Sequence, residues 1–143
     1  MPPATSDLGP DLDRDLDDAA RCPCLSGEVY GACCGPLHHG TTPAPTAERL
    51  MRSRYSAFVL LRASYLLETW HPSTRPATLD LDPATRWFGL EIVRTKAGGP
   101  FDAEGVVEFE ARHRGDDGVG TQHEVSRFVR VDRRWLYVDG VAG

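Results

Sequence analysis

All four cysteines of this 143-residue chain fall within 13 positions: Cys22-Pro-Cys24, eight residues, then Cys33-Cys34. Thiols this close can close a tetrahedral site around Zn²⁺, whose bonds to sulfur are about 2.3 Å long. The intervening residues suit that task. Ser26 can cap a short helical turn, and Gly27 can supply an unusual backbone angle. Tyr30 precedes the paired cysteines by three and four residues, so all three can share one face. Gly35-Pro36 then stops the turn.

Three other readings compete with zinc. A disulfide needs an oxidising compartment, for which no secretory signal is present, and adjacent cysteines are poorly placed to bridge each other. A redox pair is normally Cys-x-x-Cys, whereas this is Cys-x-Cys. Four unrelated buried cysteines would not cluster so tightly. A closed four-thiolate site leaves no position for water, which makes it structural rather than catalytic. Its binding free energy, on the order of 10 kcal/mol, would be folding energy for residues 21–36.

Charge divides the chain at the same place. The formal net charge is −5, and residues 1–20, with six Asp and one Arg, account for all of it. Residues 21–143 carry 15 basic and 15 acidic groups. That neutral remainder argues against a nucleic-acid partner, which calls for a basic surface. No apolar run approaches the ~20 residues of a membrane span. Cytoplasmic residence is the expectation. Residues 1–20 read as an acidic flexible arm. Leu8, Leu12 and Leu16 at i, i+4 spacing leave room for a docking helix that orders on a partner.

Beyond the cysteines, residues 37–45 read as a linker that includes His38 and His39. Thr46 can cap a helix to about Leu61, with Leu50, Met51, Tyr55, Phe58, Val59 and Leu61 forming an apolar stripe. Ser64 can cap a second helix, Tyr65 to Trp70, stopped by Pro72. Four strands follow: Trp87–Lys96, Glu104–Arg114, Thr121–Val131 and Arg134–Asp139. In the second, Val107, Phe109 and Ala111 alternate with Glu108, Glu110 and Arg112. Asp139-Gly140 reads as a turn. Helices first and a meander after predict an α+β fold with an antiparallel sheet.

Cys22-Pro-Cys24-Leu-Ser-Gly-Glu-Val-Tyr-Gly-Ala-Cys33-Cys34-Gly-Pro resembles the SEC-C motif, a short zinc-binding segment. Met51-Arg-Ser-Arg-Tyr55-Ser-Ala-Phe58, Tyr65-Leu-Leu-Glu-Thr-Trp70-His71-Pro72, Ser126-Arg-Phe128 and Trp135-Leu-Tyr137-Val-Asp139-Gly140 resemble the bacterial YchJ-like family. The similarity spans about residues 22–141. It implies a nuclear-transport-factor-like, or cystatin-like, cone over residues 46–141, in which a curved sheet wraps a helix around a lumen. It also implies Cys22, Cys24, Cys33 and Cys34 as zinc ligands. Two departures stand out. The residue after Cys24 is usually Gly but is Leu25 here, and no second SEC-C segment follows the cone.

Fold does not fix function, so the lumen-facing residues matter. Alternation puts Trp135, Tyr137 and Asp139 on one face of the fourth strand, and Glu124, Ser126 and Phe128 on one face of the third. Tyr55, Trp70, Ser126 and Tyr137 are the candidate lumen residues. His71 beside Glu124 or Asp139 is the candidate general base, since a carboxylate fixes the imidazole tautomer and raises its basicity. His71 as a helix C-terminal residue and Tyr55 and Trp70 as core are the competing readings. No nucleophile elbow, phosphate loop or dinucleotide fingerprint is present. The leading expectation is a protein-interaction or adaptor module acting through the zinc segment. The alternative is a small-molecule-binding protein or enzyme using the lumen. The fold implied by the resemblance also suggests a homodimer formed through the outer face of the sheet.

Overall fold

The computed structural model describes residues 16–143. The leucines of the expected docking arm, Leu8 and Leu12, lie outside the described residues. Leu16 packs against the core. The carbonyls of Asp18 and Ala20 accept from the backbone N–H groups of Gly31 and Tyr30 at 2.9 and 2.7 Å. Residues 16–20 are thus folded onto the cysteine segment rather than belonging to a solvated arm.

Among the described residues three α-helices precede the sheet: α1 (Cys34–His38), α2 (Ala47–Val59) and α3 (Ala63–Glu68). A 3-10 turn, Tyr30–Ala32, leads into α1. Thr46 caps α2 as its position suggests. Its backbone is extended, and its Oγ1 accepts from the Arg49 N–H at 3.1 Å, meeting one otherwise unpaired donor of the first turn. Ser64 does not cap the next helix. α3 begins at Ala63, with Arg62 in the cap position. It also stops at Glu68, before Trp70, because strand β4 takes the backbone that follows. Tyr137 N–H donates to the Thr69 carbonyl at 2.8 Å, and His71 N–H donates to the Tyr137 carbonyl at 2.7 Å.

The sheet is a four-strand antiparallel meander in the order β1-β2-β3-β4. The strands are β1 (Arg86–Ala97), β2 (Glu104–Gly115), β3 (Gly118–Val131) and β4 (Arg134–Ala142). β3 starts three residues earlier than the sequence suggests, since Gly118 pairs with Gly115 across a two-residue turn. Asp132 and Arg133 both take positive φ, 52° and 68°, as the tightest hairpin connection requires.

The inner face of the sheet carries Val107, Phe109, Ala111, Phe128 and Trp135, all buried. Leu50, Met51 and Tyr55 of α2 are buried in the same core cluster. Each such side chain contributes roughly 1.5–3 kcal/mol by leaving water. Phe128→Ala would therefore cost about 3–5 kcal/mol.

Two sequence expectations fail on β4. Phe128 pairs with Tyr137 and Arg127 pairs with Asp139, which leaves Val138 as an extra residue. A bulge of this kind reverses the alternation beyond it. Tyr137 therefore faces inward with Trp135, while Asp139 faces outward and binds Arg127 at 2.7 Å. Gly140 is likewise no turn residue. It lies in the strand opposite Ser126.

Candidate metal centre and lumen

Each of the four cysteines is at most 1% exposed, and their sulfur atoms all lie within 4.8 Å of one another. Cys24 Sγ and Cys33 Sγ are 3.6 Å apart. A tetrahedron with sulfur bonds of about 2.3 Å has edges of about 3.8 Å, so four thiolates in this arrangement fit a tetrahedral ion. No cysteine is in a disulfide. Without a cation the thiols compete for protons. Hydrogen bonds from Cys22 and then Cys34 hold the Cys24 thiol well below its ordinary range, while the contact with Cys24 pushes Cys22 up and those with Cys22 and then Cys24 push Cys34 up. A bound divalent ion would favour the thiolate at all four.

Local sequence makes this geometry. Leu25 has φ 65° and Gly27 φ 94°, so the chain reverses sharply after Cys24. The left-handed angle at Leu25 explains why glycine is usual there. Ser26 Oγ accepts from the Glu28 N–H and lies 3.2 Å from Cys33 Sγ.

Helix α2 supplies the surroundings of the site. Arg49 Nη1 donates to Cys33 Sγ at 3.2 Å and its Nη2 to the Cys33 carbonyl at 3.1 Å. Arg52 Nη1 donates to the Cys24 carbonyl at 2.9 Å. Ser56 Oγ donates to Cys34 Sγ at 3.3 Å. Four thiolates with one divalent ion carry net −2, so donors and cations here stabilise the loaded site. Residues 49, 52 and 56 fall on one helical face at i, i+3, i+7 spacing. That spacing was legible in the sequence, but nothing in it tied the face to the cysteines.

His38 is no linker residue. It ends α1, and its Nε2–H donates to the Ser53 carbonyl at 2.8 Å. Its Nδ1 is 2.6 Å from Tyr30 Oη and 3.2 Å from Arg62 Nη1. Since a guanidinium only donates, Nδ1 accepts and the ring is the neutral Nε2–H tautomer. His38 thus ties the cysteine segment, α2 and Arg62 together.

The second feature is a cavity of about 230 Å³ between α2 and the inner face of the sheet. Tyr55, Trp70, Glu124, Ser126 and Tyr137 all line it, as does Arg54. Glu124 Oε2 accepts from Ser126 Oγ at 2.6 Å and Tyr137 Oη at 3.1 Å, and Oε1 accepts from Gln122 Nε2 at 2.9 Å. Burial, and then the Glu124 carboxylate, push the Tyr137 phenol well up, so it remains a donor. Burial raises Tyr55 to about 12. Gly140 makes room for this network, because a Cβ there would overlap the Glu124 carboxylate.

The candidate base is not assembled. His71 Nδ1 accepts from the Ser73 N–H at 3.1 Å and lies 2.7 Å from Ser73 Oγ, and neither Glu124 nor Asp139 is among its partners. Asp139 is on the opposite face of the sheet, for the reason given by the bulge. Arg54 also lines the cavity, which periodicity alone does not indicate. It occupies a position in the apolar stripe, four residues after Leu50 and four before Phe58, and a cation placed there was the available signal. Its guanidinium lies 5.2 Å from the Trp70 ring centre and 4.6 Å from that of Tyr137.

Residues 46–140 match the family described as "YchJ, middle NTF2-like domain". Residues 20–36 match the SEC-C motif. A UPF0225 protein from Streptomyces coelicolor is 60% identical over 119 residues, covering 83% of this chain and 93% of its own. Another, from Deinococcus radiodurans, is 50% identical over 120 residues, covering 82% and 86%. The solution structure of a SEC-C motif containing protein from Rhodopseudomonas palustris superposes with a TM-score of 0.75 at 35% identity, over 85% of this chain and 98% of that one. A crystal structure of a SEC-C motif containing protein from Psychrobacter arcticus gives 0.71 at 31% identity, over 88% and 85%. Sequence, motif order and fold agree: this chain belongs to the UPF0225 family of YchJ-like proteins, an α+β NTF2-like domain preceded by a SEC-C motif whose four cysteines could hold a metal ion.

Proposed function

We propose that this protein binds a small molecule in the lumen of its NTF2-like domain, and that a structural zinc ion in the SEC-C segment holds the central helix in register. The observation that carries the first part is the cavity of about 230 Å³, with Arg54, Glu124 and Tyr137 converging on an otherwise largely aromatic wall. An apolar pocket with a few convergent polar groups is the usual form of a ligand site. Binding is favoured over general-base chemistry because Glu124 already accepts three hydrogen bonds and His71 is elsewhere.

Zinc is favoured by the all-sulfur donor set and the spacing of Cys24 and Cys33, which suit a soft tetrahedral ion. Its role is to fix the cysteine loop on α2, the helix whose opposite face carries Tyr55 and Arg54 into the lumen. Four unpaired thiols also favour a reducing, cytoplasmic setting.

A second reading has one observation of its own. Leu25 and Val29 are 49% and 42% exposed on the cysteine segment, as a protein-interaction surface requires. Against it, Arg49 and Arg52 are engaged with the cysteine loop and do not form a free basic patch.

The decisive test is nitrogen-15 NMR of the zinc-loaded chain against a set of small aromatic fragments. Shifts confined to residues 122–128, Trp70 and Tyr137 support the lumen. Fragments that leave those amides unmoved refute it. Elemental analysis should find close to one zinc per chain, and a value near zero would refute the metal assignment.

A further inference from the structure

Arg54 is only 6% exposed. Its Nη1 donates to the Leu66 carbonyl at 2.8 Å and to Thr69 Oγ1 at 2.6 Å. Those two bonds fix the guanidinium. Its Nε and Nη2 make no hydrogen bond among the described residues, and neither is sealed away there as a buried unpaired atom. Nor does Arg54 form an ion pair with any carboxylate among the described residues. Burial lowers it to about 10, so at neutral pH it is still a cation.

A buried charge is normally paired, because removal from water is otherwise uncompensated. Glu124 acts on Arg54 only through its field, and its own oxygens are taken by Gln122, Ser126 and Tyr137. The Nε and Nη2 hydrogens point the same way from a guanidinium. That edge is the fork that matches the two oxygens of a carboxylate. Trp70 and Tyr137 lie against the guanidinium, and Phe109, Phe128 and Trp87 continue the wall.

We propose that the lumen takes a small planar monocarboxylate, its carboxylate gripped by the free Nε–Nη2 edge of Arg54 and its apolar body lying among the aromatic rings. The proposal rests on the lumen reading above and adds the ligand class. Size bounds that class. A cavity of 150 Å³ suffices for benzene, so about 230 Å³ takes a ring with a carboxylate and little more, about ten non-hydrogen atoms. The described lining holds one cation, Arg54, and one carboxylate, Glu124, whose oxygens are already taken, so the open contact for a further anionic group is at Arg54 and suits a single charge. A phosphate would call for further donors, and among the described residues no Lys or second Arg lines the cavity.

The test uses three probes of similar shape, benzoate, benzamide and benzylamine, titrated into the zinc-loaded full chain. Amide shifts at residues 122–128 and fluorescence of Trp70 and Trp87 report occupancy. Benzoate should bind at least ten-fold more tightly than either isostere. Arg54→Met should remove that preference, so that benzoate binds no more tightly than benzamide to the variant, and Arg54→Lys should keep part of it. The wild-type comparison decides the matter even where Arg54→Met fails to fold. If benzamide or benzylamine enters the lumen as well as benzoate does, the carboxylate assignment is overturned and the lumen reading stands. If none of the three moves the lumen amides, both are overturned.

Discussion

Gly140→Ala should reverse the sign of its effect on stability when Glu124 is removed. In the parent chain the new methyl group would occupy the place of the Glu124 carboxylate, which must swing away. The overlap itself is cheap to relieve, because a glutamate is flexible. The loss lies in what the carboxylate leaves behind. Ser126 Oγ and Tyr137 Oη, which donate to it at 2.6 and 3.1 Å, would lose a charged acceptor, and Ser126 is 1% exposed. Hydrogen bonds to charged groups are worth roughly 1.5–3 kcal/mol each, but the carboxylate regains water on leaving, so a net loss of about 2 kcal/mol is expected. For a chain of this length that lowers the melting midpoint by about 6–8 °C. In a Glu124→Ala background no carboxylate is displaced. Alanine in a strand should then stabilise by roughly 0.5–1 kcal/mol relative to glycine. Urea unfolding of the four proteins completes a double-mutant cycle with a coupling energy of about 2–3 kcal/mol. Equal effects of Gly140→Ala in both backgrounds would refute the reasoning, since the carboxylate would then not occupy that space.

Other outcomes follow from the proposed zinc site and the outer face. Cys33→Ser should abolish stoichiometric zinc and lower the melting midpoint, and a variant that keeps one zinc per chain at parental affinity would exclude Cys33 as a ligand. Arg49→Met removes the donors to Cys33 Sγ and the Cys33 carbonyl. It should weaken zinc about 10–100-fold in a chelator competition, and unchanged affinity would show that these contacts do not tune the site. On the outer face, hydrogen bonds from His123 and then Arg94 hold the Glu108 carboxyl below its ordinary value of 4.5. A carboxyl lowered by folding contributes stability that is present above that value and lost as pH falls through the folded pKa. Glu108→Gln should therefore shallow the acid limb of urea midpoints below about pH 4.5, and an identical limb would refute the contribution. The effect should be small and screened by salt, as the Arg94 partner is 63% exposed.

The fold was largely legible because its signals are local. Thr46 before an apolar stripe marks α2, and the alternation of Val107, Phe109 and Ala111 marks β2. Boundaries failed where a distant strand decided them. The sequence after Glu68 still looks helical, but β4 captures the backbone of residues 69–71. The lumen was half legible. Tyr55, Trp70, Glu124, Ser126 and Tyr137 do line one cavity. Asp139 does not, because strict alternation cannot foresee the extra residue at Val138, and His71 does not, because its ring is held by Ser73. Periodicity does not mark Arg54, because a cation within an apolar stripe reads only as an interruption of it.

The sequence by itself determined the cysteine cluster, the order of elements and the location of the acid charge, for each depends on spacing along the chain. Tertiary structure alone decided what the two faces of α2 do. From periodicity its polar face, with Arg49, Arg52 and Ser56, belongs in water, and its apolar face belongs wholly to the core. In the folded chain the polar face is covered by the cysteine segment, and its donors meet sulfur and carbonyl oxygen there. The opposite face leaves a cavity with Arg54 fixed in its wall. Hydrogen-bond partners brought together from positions 16 to 28 residues apart leave no trace in a local pattern, because the pattern records which face is polar and not what will meet it.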